Sequence, residues 1–155
     1  MEKDYDLILY SGTIDQFFDF EFGQLSYRTV YWEKHTCDGY FQGNAVINYT
    51  TEDKPYTRIN EPIYFEPWKE QLPKGQSIYF KEYSKKTGTS DTPYYPIRRK
   101  EDLLQLSLYQ KRLSSKEFSK FIFHGRLGMY KYLDMDMTID ESAALSGQLE
   151  ERFLK

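Results

Sequence analysis

The sequence has little cysteine and little histidine, and this shortage excludes two classes of protein. Cys37 is the only cysteine among 155 residues, so an internal disulfide cannot form. With His35 and His124 as the only histidines, the chain offers none of the cysteine and histidine spacings of a zinc site. We therefore predict that the protein holds no metal and that Cys37 has a structural or solvent-exposed role.

Long apolar runs and a strong charge of one sign are also missing. No apolar run approaches the roughly 20 residues that a membrane-spanning helix needs. The net charge of −3 gives no basic surface for nucleic acid or for an anionic membrane. The acidic N-terminal end is not typical of a secretory leader. The sequence thus predicts a cytoplasmic chain without nucleic acid or membrane partners, long enough for one domain with its own core.

Aromatic residues are what the sequence has in excess, at 18% of the chain with 15 tyrosines and 11 phenylalanines. Tyrosine combines a flat face for stacking with a hydroxyl group, which suits pockets for carbohydrates and nucleotides. Most tyrosines of a β-rich domain nevertheless pack on sheet faces. A single tyrosine therefore indicates a binding site only when the surrounding sequence also points to one.

Apolar patterns predict an α+β fold whose main element is an antiparallel sheet of about four to six strands. We expect strands at residues 5–10, 18–22, 25–31, 45–49, 77–83 and 121–123. The second and third of these would form a hairpin around Gly23. Apolar residues at helical spacing predict a helix over 101–114. A capping-box pattern from Thr138 to Glu141 predicts a last helix that runs to about Phe153.

Residues 125–138 carry the densest set of chemically useful side chains. A basic residue, two tyrosines and two carboxylates directly precede a predicted helix N-terminus. Free backbone N–H groups and the helix dipole favour negative charge there, and the N1/O2 edge of a reduced flavin carries such charge. An ordinary strand-to-helix corner with acidic caps explains the spacing equally well. The spacing alone therefore leaves both interpretations open.

Five short strings add a further signal, at residues 10–19, 41–50, 55–59, 93–96 and 125–136. In the last string a Gly-Arg pair is followed by Tyr-Lys-Tyr, one residue and Asp-Met. This string is similar to the flavin-closing motif of the UDP-galactopyranose mutase family. The other four look like strings from the C-terminal half of that family, in the same order. The resemblance covers nearly the whole chain but only the second half of the family's protein.

The resemblance implies a division of the fold. Residues from about 15 to 120 would form an antiparallel substrate-domain sheet with flanking helices. Residues 5–12 and 120–155 would supply the terminal strand and C-terminal helix of an incomplete, Rossmann-like FAD-binding domain. None of the nine glycines forms a G-x-G-x-x-G loop, so the dinucleotide-binding unit itself is missing from the sequence.

The function implied by the resemblance is the isomerisation of UDP-galactopyranose to UDP-galactofuranose, a step toward cell-surface polysaccharide. Reduced FAD would act as a nucleophile rather than as a net redox partner. We expect the isolated chain to be inactive without a partner chain that carries the N-terminal FAD-binding half. The resemblance leaves open whether the protein forms a homo-oligomer. The alternative is a non-catalytic module derived from the mutase that binds a nucleotide sugar or a protein.

The resemblance also implies roles for individual residues. Arg58 would neutralise the UDP diphosphate, although an arginine can also form a mere surface ion pair. Tyr95 would hydrogen-bond to the diphosphate, and Tyr132 would reach both the diphosphate and the flavin region; the two complete the catalytic set. Asn48 would contact the nucleotide sugar. Arg126 would contact FAD. The isoalloxazine and ribityl side of FAD would be lined by Leu133, Asp134, Met135, Asp136, Met137 and Thr138.

Two departures from the family pattern stand out. His124 lies where the family usually has a glycine that precedes the Gly-Arg pair. Asn60 and Pro62 lie on either side of Glu61 where the family often has isoleucine and histidine. We expect His124 to alter the approach of the backbone to the cofactor, because glycine is used where a side chain would intrude.

Overall fold

The computed structural model describes residues 5–65, 75–88 and 90–153, with the side chain of Phe153 outside the description. It shows a mixed α+β fold, as predicted. The strands are β1 (Ile8–Tyr10), β2 (Tyr27–Asp38), β3 (Val46–Asn48), β4 (Arg58–Asn60), β5 (Gln76–Lys86), β6 (Tyr95–Pro96) and β7 (Phe121–Phe123). The helices are α1 (Ile14–Phe17), α2 (Lys100–Leu113), α3 (Gly125–Gly128) and α4 (Met135–Phe153), with 3-10 turns at Pro62–Phe65 and Lys116–Phe118.

The chain divides into two compact units. The first consists of Met1–Arg28 and Lys86–Lys155, and the second of Thr29–Lys85. In the second unit the strands lie in the order β3-β4-β5-β2. In the first unit, the first two residues of β2 pair antiparallel with β6. The described strands thus include a five-stranded sheet, which confirms the predicted antiparallel sheet.

Buried aromatic rings form the core of the first unit. Tyr109 on α2 is fully buried, its hydroxyl donates to the carbonyl of Gly23 at 2.7 Å, and it accepts the N–H of Phe22 at 3.1 Å. Burial raises the pKa of Tyr109. Leu106, one turn before Tyr109, is also buried, so the amphipathic helix predicted over 101–114 is confirmed. The buried residues of this cluster are Ile14, Phe18, Leu25, Tyr27, Leu106, Tyr109 and Tyr130.

The prediction of a hairpin strand at residues 18–22 is wrong. Asp19 and Phe20 have φ angles of 47° and 58°, in the left-handed region that interrupts an extended strand. The phenylalanines on either side of this turn both contact the ring of Tyr109, at centroid distances of 5.8 and 5.0 Å. Phe18 and Phe22 therefore pack around one buried tyrosine and do not lie in a strand, whereas Phe20 between them is exposed.

The carboxylate of Asp15 holds the start of β2 in place. Asp15 is buried and accepts the backbone N–H of Leu25 at 2.9 Å and the hydroxyl of Tyr27 at 3.1 Å. Burial and the neighbouring Asp15 carboxylate raise the pKa of Tyr27. The buried carboxylate of Asp15 thus links α1 to the start of β2 through hydrogen bonds. The pattern of apolar residues in the sequence does not reveal these bonds.

The strands β1 and β7 form a two-stranded parallel pair, in which Tyr10 lies opposite Phe123. Gly128 of α3 packs against this pair: a Cβ atom added there would lie 2.8 Å from the carbonyl oxygen of Tyr10. Only glycine fits such an approach without a shift of the backbone. Parallel strands ordinarily lie inside larger sheets. The assignment of β1, β7 and α4 to an FAD-binding domain stays a prediction.

The last helix begins four residues earlier than predicted, at Met135 and not after an N-cap at Thr138. The N–H and the hydroxyl of Thr138 both donate to the carbonyl of Asp134, at 2.9 and 2.8 Å, so Thr138 lies inside the first turn of α4. The predicted capping box is therefore wrong, and Glu141 instead pairs with Lys131 at 3.1 Å. Neither α4 nor another helix in the described ranges is long and apolar enough to cross a bilayer.

Candidate functional site

Two of the predicted substrate residues lie side by side in the second unit. The register of the sheet places Asn48 of β3 directly opposite Arg58 of β4, and Arg58 directly opposite Glu82 of β5. Residues directly opposite each other in antiparallel strands share one face of the sheet. The structure therefore brings Asn48, Arg58 and Glu82 into one row on one face.

Glu82 anchors the guanidinium group of Arg58. Oε1 of Glu82 lies 3.1 Å from Nε of Arg58 and accepts the hydroxyl of Thr57 at 3.2 Å, while Oε2 accepts the indole N–H of Trp32 at 3.2 Å. The side chain of Glu82 is 13% exposed and that of Arg58 is 44% exposed. This 3.1 Å contact is made by Nε, and the guanidinium group also carries two terminal nitrogens. Such a fork suits the oxygens of a phosphate group.

Sequence reasoning missed both Glu82 and Trp32. Glu82 lies within the strand predicted at 77–83, and Trp32 follows the strand predicted at 25–31. Nothing in either string shows that the two side chains meet. Only the pairing of strands that are far apart in the chain brings Glu82 to Arg58 and Trp32 to Glu82, so the missing signal is the sheet register.

Glu61 is a further residue that sequence reasoning did not select for a role. Its fully buried carboxylate accepts the hydroxyl of Ser77 at 2.6 Å and the backbone N–H groups of Phe41 and Gln42 at 2.9 Å each. Burial would raise the pKa of Glu61, but the hydrogen bonds from Ser77 and the loop N–H groups outweigh burial and lower it. Glu61 therefore holds the loop that leads into β3, the strand that carries Asn48.

Tyr95, Arg126 and Tyr132 form one cluster in the first unit. The ring centroids of Tyr95 and Tyr132 lie 6.0 Å apart, with 27° between the ring planes. The guanidinium carbon of Arg126 lies 4.6 Å from the ring centre of Tyr95 and 5.8 Å from that of Tyr132. Both distances are typical of cation–π contacts. The structure thus brings together three residues that the resemblance selected from two separate strings.

Hydrogen bonds on both sides of Tyr132 hold the loop that carries this residue. The hydroxyl of Tyr130, a fully buried residue, donates to the carbonyl of Ser26 at 2.7 Å, and its own carbonyl accepts from Nη1 of Arg98 at 2.7 Å. Burial raises the pKa of Tyr130 to about 12. Nε of Arg126 donates to the carbonyl of Leu133 at 3.0 Å, and Nη2 donates to the same oxygen. These bonds fix both ends of the segment around Tyr132.

Residues 133–138 fit one wall of a flavin site. Leu133 is buried, whereas Met135 and Met137 are exposed at the start of α4 and offer apolar surface to a ring system. The first hydrogen bond of α4 runs from the N–H of Thr138 to the carbonyl of Asp134, so the N–H groups of the first turn precede the helical ladder. Such a helix end favours a negatively charged group. The fit covers this wall alone, because the sequence lacks the glycine-rich phosphate loop.

His124 occupies an extended position at the end of β7, with φ −138°, which does not require glycine. Its Nε2 and the hydroxyl oxygen of Ser142 on α4 are hydrogen-bonded at 3.1 Å. Gly125, the next residue, has φ 77° and does need the freedom of glycine. The substitution at 124 therefore ties β7 to α4 in this chain.

Comparison with known proteins agrees with the resemblance. The model of the UDP-galactopyranose mutase family matches residues 1–132. The chain is 48% identical over 141 residues to a protein of Klebsiella pneumoniae named probable UDP-galactopyranose mutase, and 43% identical over 141 residues to the dTDP-fucopyranose mutase of Escherichia coli. A UDP-galactopyranose mutase of Mycoplasma pneumoniae is 30% identical over 148 residues. The matches cover 90%, 90% and 92% of this chain but only 35%, 36% and 36% of those relatives.

Proposed function

Because the chain belongs to the UDP-galactopyranose mutase family, we propose that it is the C-terminal region of an enzyme that converts UDP-galactopyranose to UDP-galactofuranose. It spans about a third of the length of the curated relatives, so the activity of the whole protein is part of this proposal. The observation that carries it is the cluster of Tyr95, Arg126 and Tyr132, in which two strings that resemble the family meet.

The residues of this chain would bind and stabilise the leaving UDP. Arg58 is held through Nε by Glu82, and its terminal nitrogens would donate charge-assisted hydrogen bonds to the diphosphate. The hydroxyls of Tyr95 and Tyr132 would donate to the diphosphate as well, and Asn48 would contact the sugar. Donors fixed before the reaction stabilise charge that develops on the leaving group, which is how these residues would lower the barrier.

FAD is the cofactor of this proposal, and in reduced form it would supply the nucleophile for the anomeric carbon. Residues 133–138 would line its isoalloxazine and ribityl side, Arg126 would contact it, and the first turn of α4 would favour its negatively charged edge. The rest of its site would come from the N-terminal FAD-binding half of the family's protein. We place residues 5–12 and 120–155 in the FAD-binding domain, and residues from about 15 to 120 in the substrate domain.

A second substrate has a specific argument in its favour. The relative from Escherichia coli is named for dTDP-fucopyranose, and its identity to this chain is close to that of the relative from Klebsiella pneumoniae. Arg58, Tyr95 and Tyr132 would contact the diphosphate, which UDP-sugars and dTDP-sugars share. The mutase reaction could therefore act on a dTDP-sugar with the same residues.

Two finer points complete the proposal. We assign the reaction to the cytoplasm and to the supply of galactofuranose for cell-surface polysaccharide. The alternative is a non-catalytic module that binds a nucleotide sugar or a protein. This alternative shares the nucleotide contacts with the enzyme, so only restored catalysis separates the two.

Calorimetric titration of the chain with UDP and, in parallel, with dTDP tests the proposed site. We expect binding of at least one nucleotide, and loss of that binding in R58A and in Y95A. R112A is the matched control, because Arg112 is also a partly exposed, ion-paired arginine, 3.0 Å from Glu117 and outside the proposed site. Absence of binding to both nucleotides, or equal loss in R112A, would contradict a nucleotide-sugar site.

A further inference from the structure

Tyr132 stands on the loop between α3 and α4, and little besides ring contacts holds its side chain. It is 56% exposed, and among the described residues its hydroxyl makes no hydrogen bond. Among the residues that the structure describes, the aromatic and cation–π partners of its ring are the ring of Tyr95 and the guanidinium group of Arg126. An exposed tyrosine on a loop samples several rotamers unless neighbouring groups restrict it. The position of the Tyr132 ring therefore depends on these two neighbours.

Tyr95 is the fixed member of the pair. It lies in β6, where it is paired with Arg28 of β2, and Pro96 beside it is buried. The N–H of Tyr94 donates to the carbonyl of Arg28 at 3.0 Å, and the N–H of Ile97 donates to Ser26 at 2.9 Å. A residue on a paired strand keeps its backbone in one place, so Tyr95 offers a stable surface for Tyr132.

Arg126 is held by hydrogen bonds, and its guanidinium group lies over the rings of Tyr95 and Tyr132. Two of its nitrogens donate to one carbonyl oxygen, that of the buried residue Leu133. Two bonds to one acceptor fix the plane of the guanidinium group and not only its position. A lysine has neither this fork nor this planar face, so it could not make the same contacts.

We infer that Arg126 is a positioning residue that holds Tyr132 against Tyr95, so that the two hydroxyls act together on one diphosphate. This role rests on the proposed function and differs from the cofactor contact proposed for Arg126, because it acts on the substrate through the tyrosines. It predicts that the arginine sets the geometry of the tyrosine pair before a nucleotide binds.

The geometry can be tested without a ligand. In the chain with labelled tyrosines, NMR measures the cross-relaxation between ring protons of Tyr95 and Tyr132. We expect this signal to be lost in R126K and in R126M, which keeps only the aliphatic stem. R112K is the matched control, because the guanidinium carbon of Arg112 lies 4.7 Å from the ring centre of Phe118 in the same unit.

The signals of the buried Tyr109 serve as the check that each variant is folded. If R126M changes the signals of Tyr109, the test of the positioning role uses R126K alone, because lysine retains the length and the charge of arginine. Retention of the Tyr95–Tyr132 signal in a folded Arg126 variant would overturn the positioning role. Loss of the signal in R112K would also overturn it, since the effect would then not be specific to Arg126.

Titration with UDP tests the action through the tyrosines. We expect R126K to bind UDP about fivefold more weakly, which corresponds to one exposed cation–π contact. In the Y95F/Y132F background, R126K is expected to have no further effect, because the hydroxyls through which it acts are gone. An equal loss in both backgrounds would show direct contact and overturn the role. If the unchanged chain binds no UDP, the proposed function fails, and the NMR result alone decides the inference.

Discussion

Asn48 and Arg58 stand directly opposite each other on neighbouring antiparallel strands. The two residues come from different strings of the sequence, and the family resemblance assigns both to the nucleotide sugar. Their side chains share one face of the sheet with Glu82, whose carboxylate contacts Nε of Arg58. This row gives the proposed diphosphate ligand a defined orientation, and it makes the following predictions specific.

Replacement of Arg58 by lysine is expected to weaken UDP binding about tenfold or more, although the charge is kept. Lysine lacks the fork that donates two parallel hydrogen bonds, and bonds to charged groups contribute about 1.5–3 kcal/mol each. Calorimetry measures the effect, with R112K as control. Unchanged affinity in R58K would argue that Arg58 forms only a structural ion pair with Glu82.

Replacement of Glu82 by glutamine is expected to weaken UDP binding about three- to tenfold, which is the range of one hydrogen bond. Glutamine keeps an acceptor for Thr57 or Trp32 but loses the charge that holds Nε of Arg58. The Nε–Hε NMR signal of Arg58 reports the lost contact directly. If this signal and the affinity both stay unchanged, Glu82 does not orient Arg58.

Replacement of Glu61 by glutamine is expected to destabilise the chain at neutral pH by about 1–3 kcal/mol, because a hydrogen-bonded buried charge is lost. The folded pKa of Glu61 lies below its ordinary value of 4.5, so the ionised carboxylate stabilises the fold above pH 4.5. This contribution is lost as the pH falls through the folded pKa. Denaturant unfolding at several pH values measures it.

The same variant provides a local control. We expect the difference between the unchanged chain and E61Q to shrink below pH 4.5. Hydrogen exchange is expected to accelerate at the amides of Phe41 and Gln42, which donate to Glu61, more than at the core residue Ile14. A difference in stability that grows toward acid pH would have the wrong sign for this account.

Replacement of Gly128 by alanine is expected to destabilise the chain by about 1–3 kcal/mol, the usual cost of overpacking. The added methyl group would meet the carbonyl oxygen of Tyr10 at 2.8 Å. Gly147 in α4 is the matched control, because a Cβ atom there has nothing within 4 Å. G147A is expected to stabilise the helix by about 0.5–1 kcal/mol. Thermal unfolding compares the two, and equal effects would contradict the close packing at Gly128.

The purified chain is expected to be colourless and inactive as a mutase, because its residues form only one wall of the proposed flavin site. Mixing with the N-terminal FAD-binding half of a relative is expected to restore flavin absorbance and activity, and R58A is expected to lose activity in the mixture. Stoichiometric flavin and turnover from the chain alone would refute the proposed dependence on the N-terminal half.

Elements with a regular local pattern were predictable from the sequence. The helix predicted over 101–114 matches α2, and the strand predicted at 121–123 matches β7. One error lies where a distant residue decides, because Phe18 and Phe22 pack around Tyr109 and do not form a strand. The other error is local: α4 begins early because the carbonyl of Asp134 accepts from Thr138, four residues later.

The sequence by itself determined the family, the α+β class and the identity of the candidate residues, because the order of short strings and the spacing of apolar residues are properties of the chain. The tertiary structure alone decided that Asn48 lies opposite Arg58, that Glu82 holds Arg58, and that Arg126 lies against two tyrosines. The reason is physical: strand register and ring packing depend on residues that are far apart in the chain, and no local pattern specifies which of them meet.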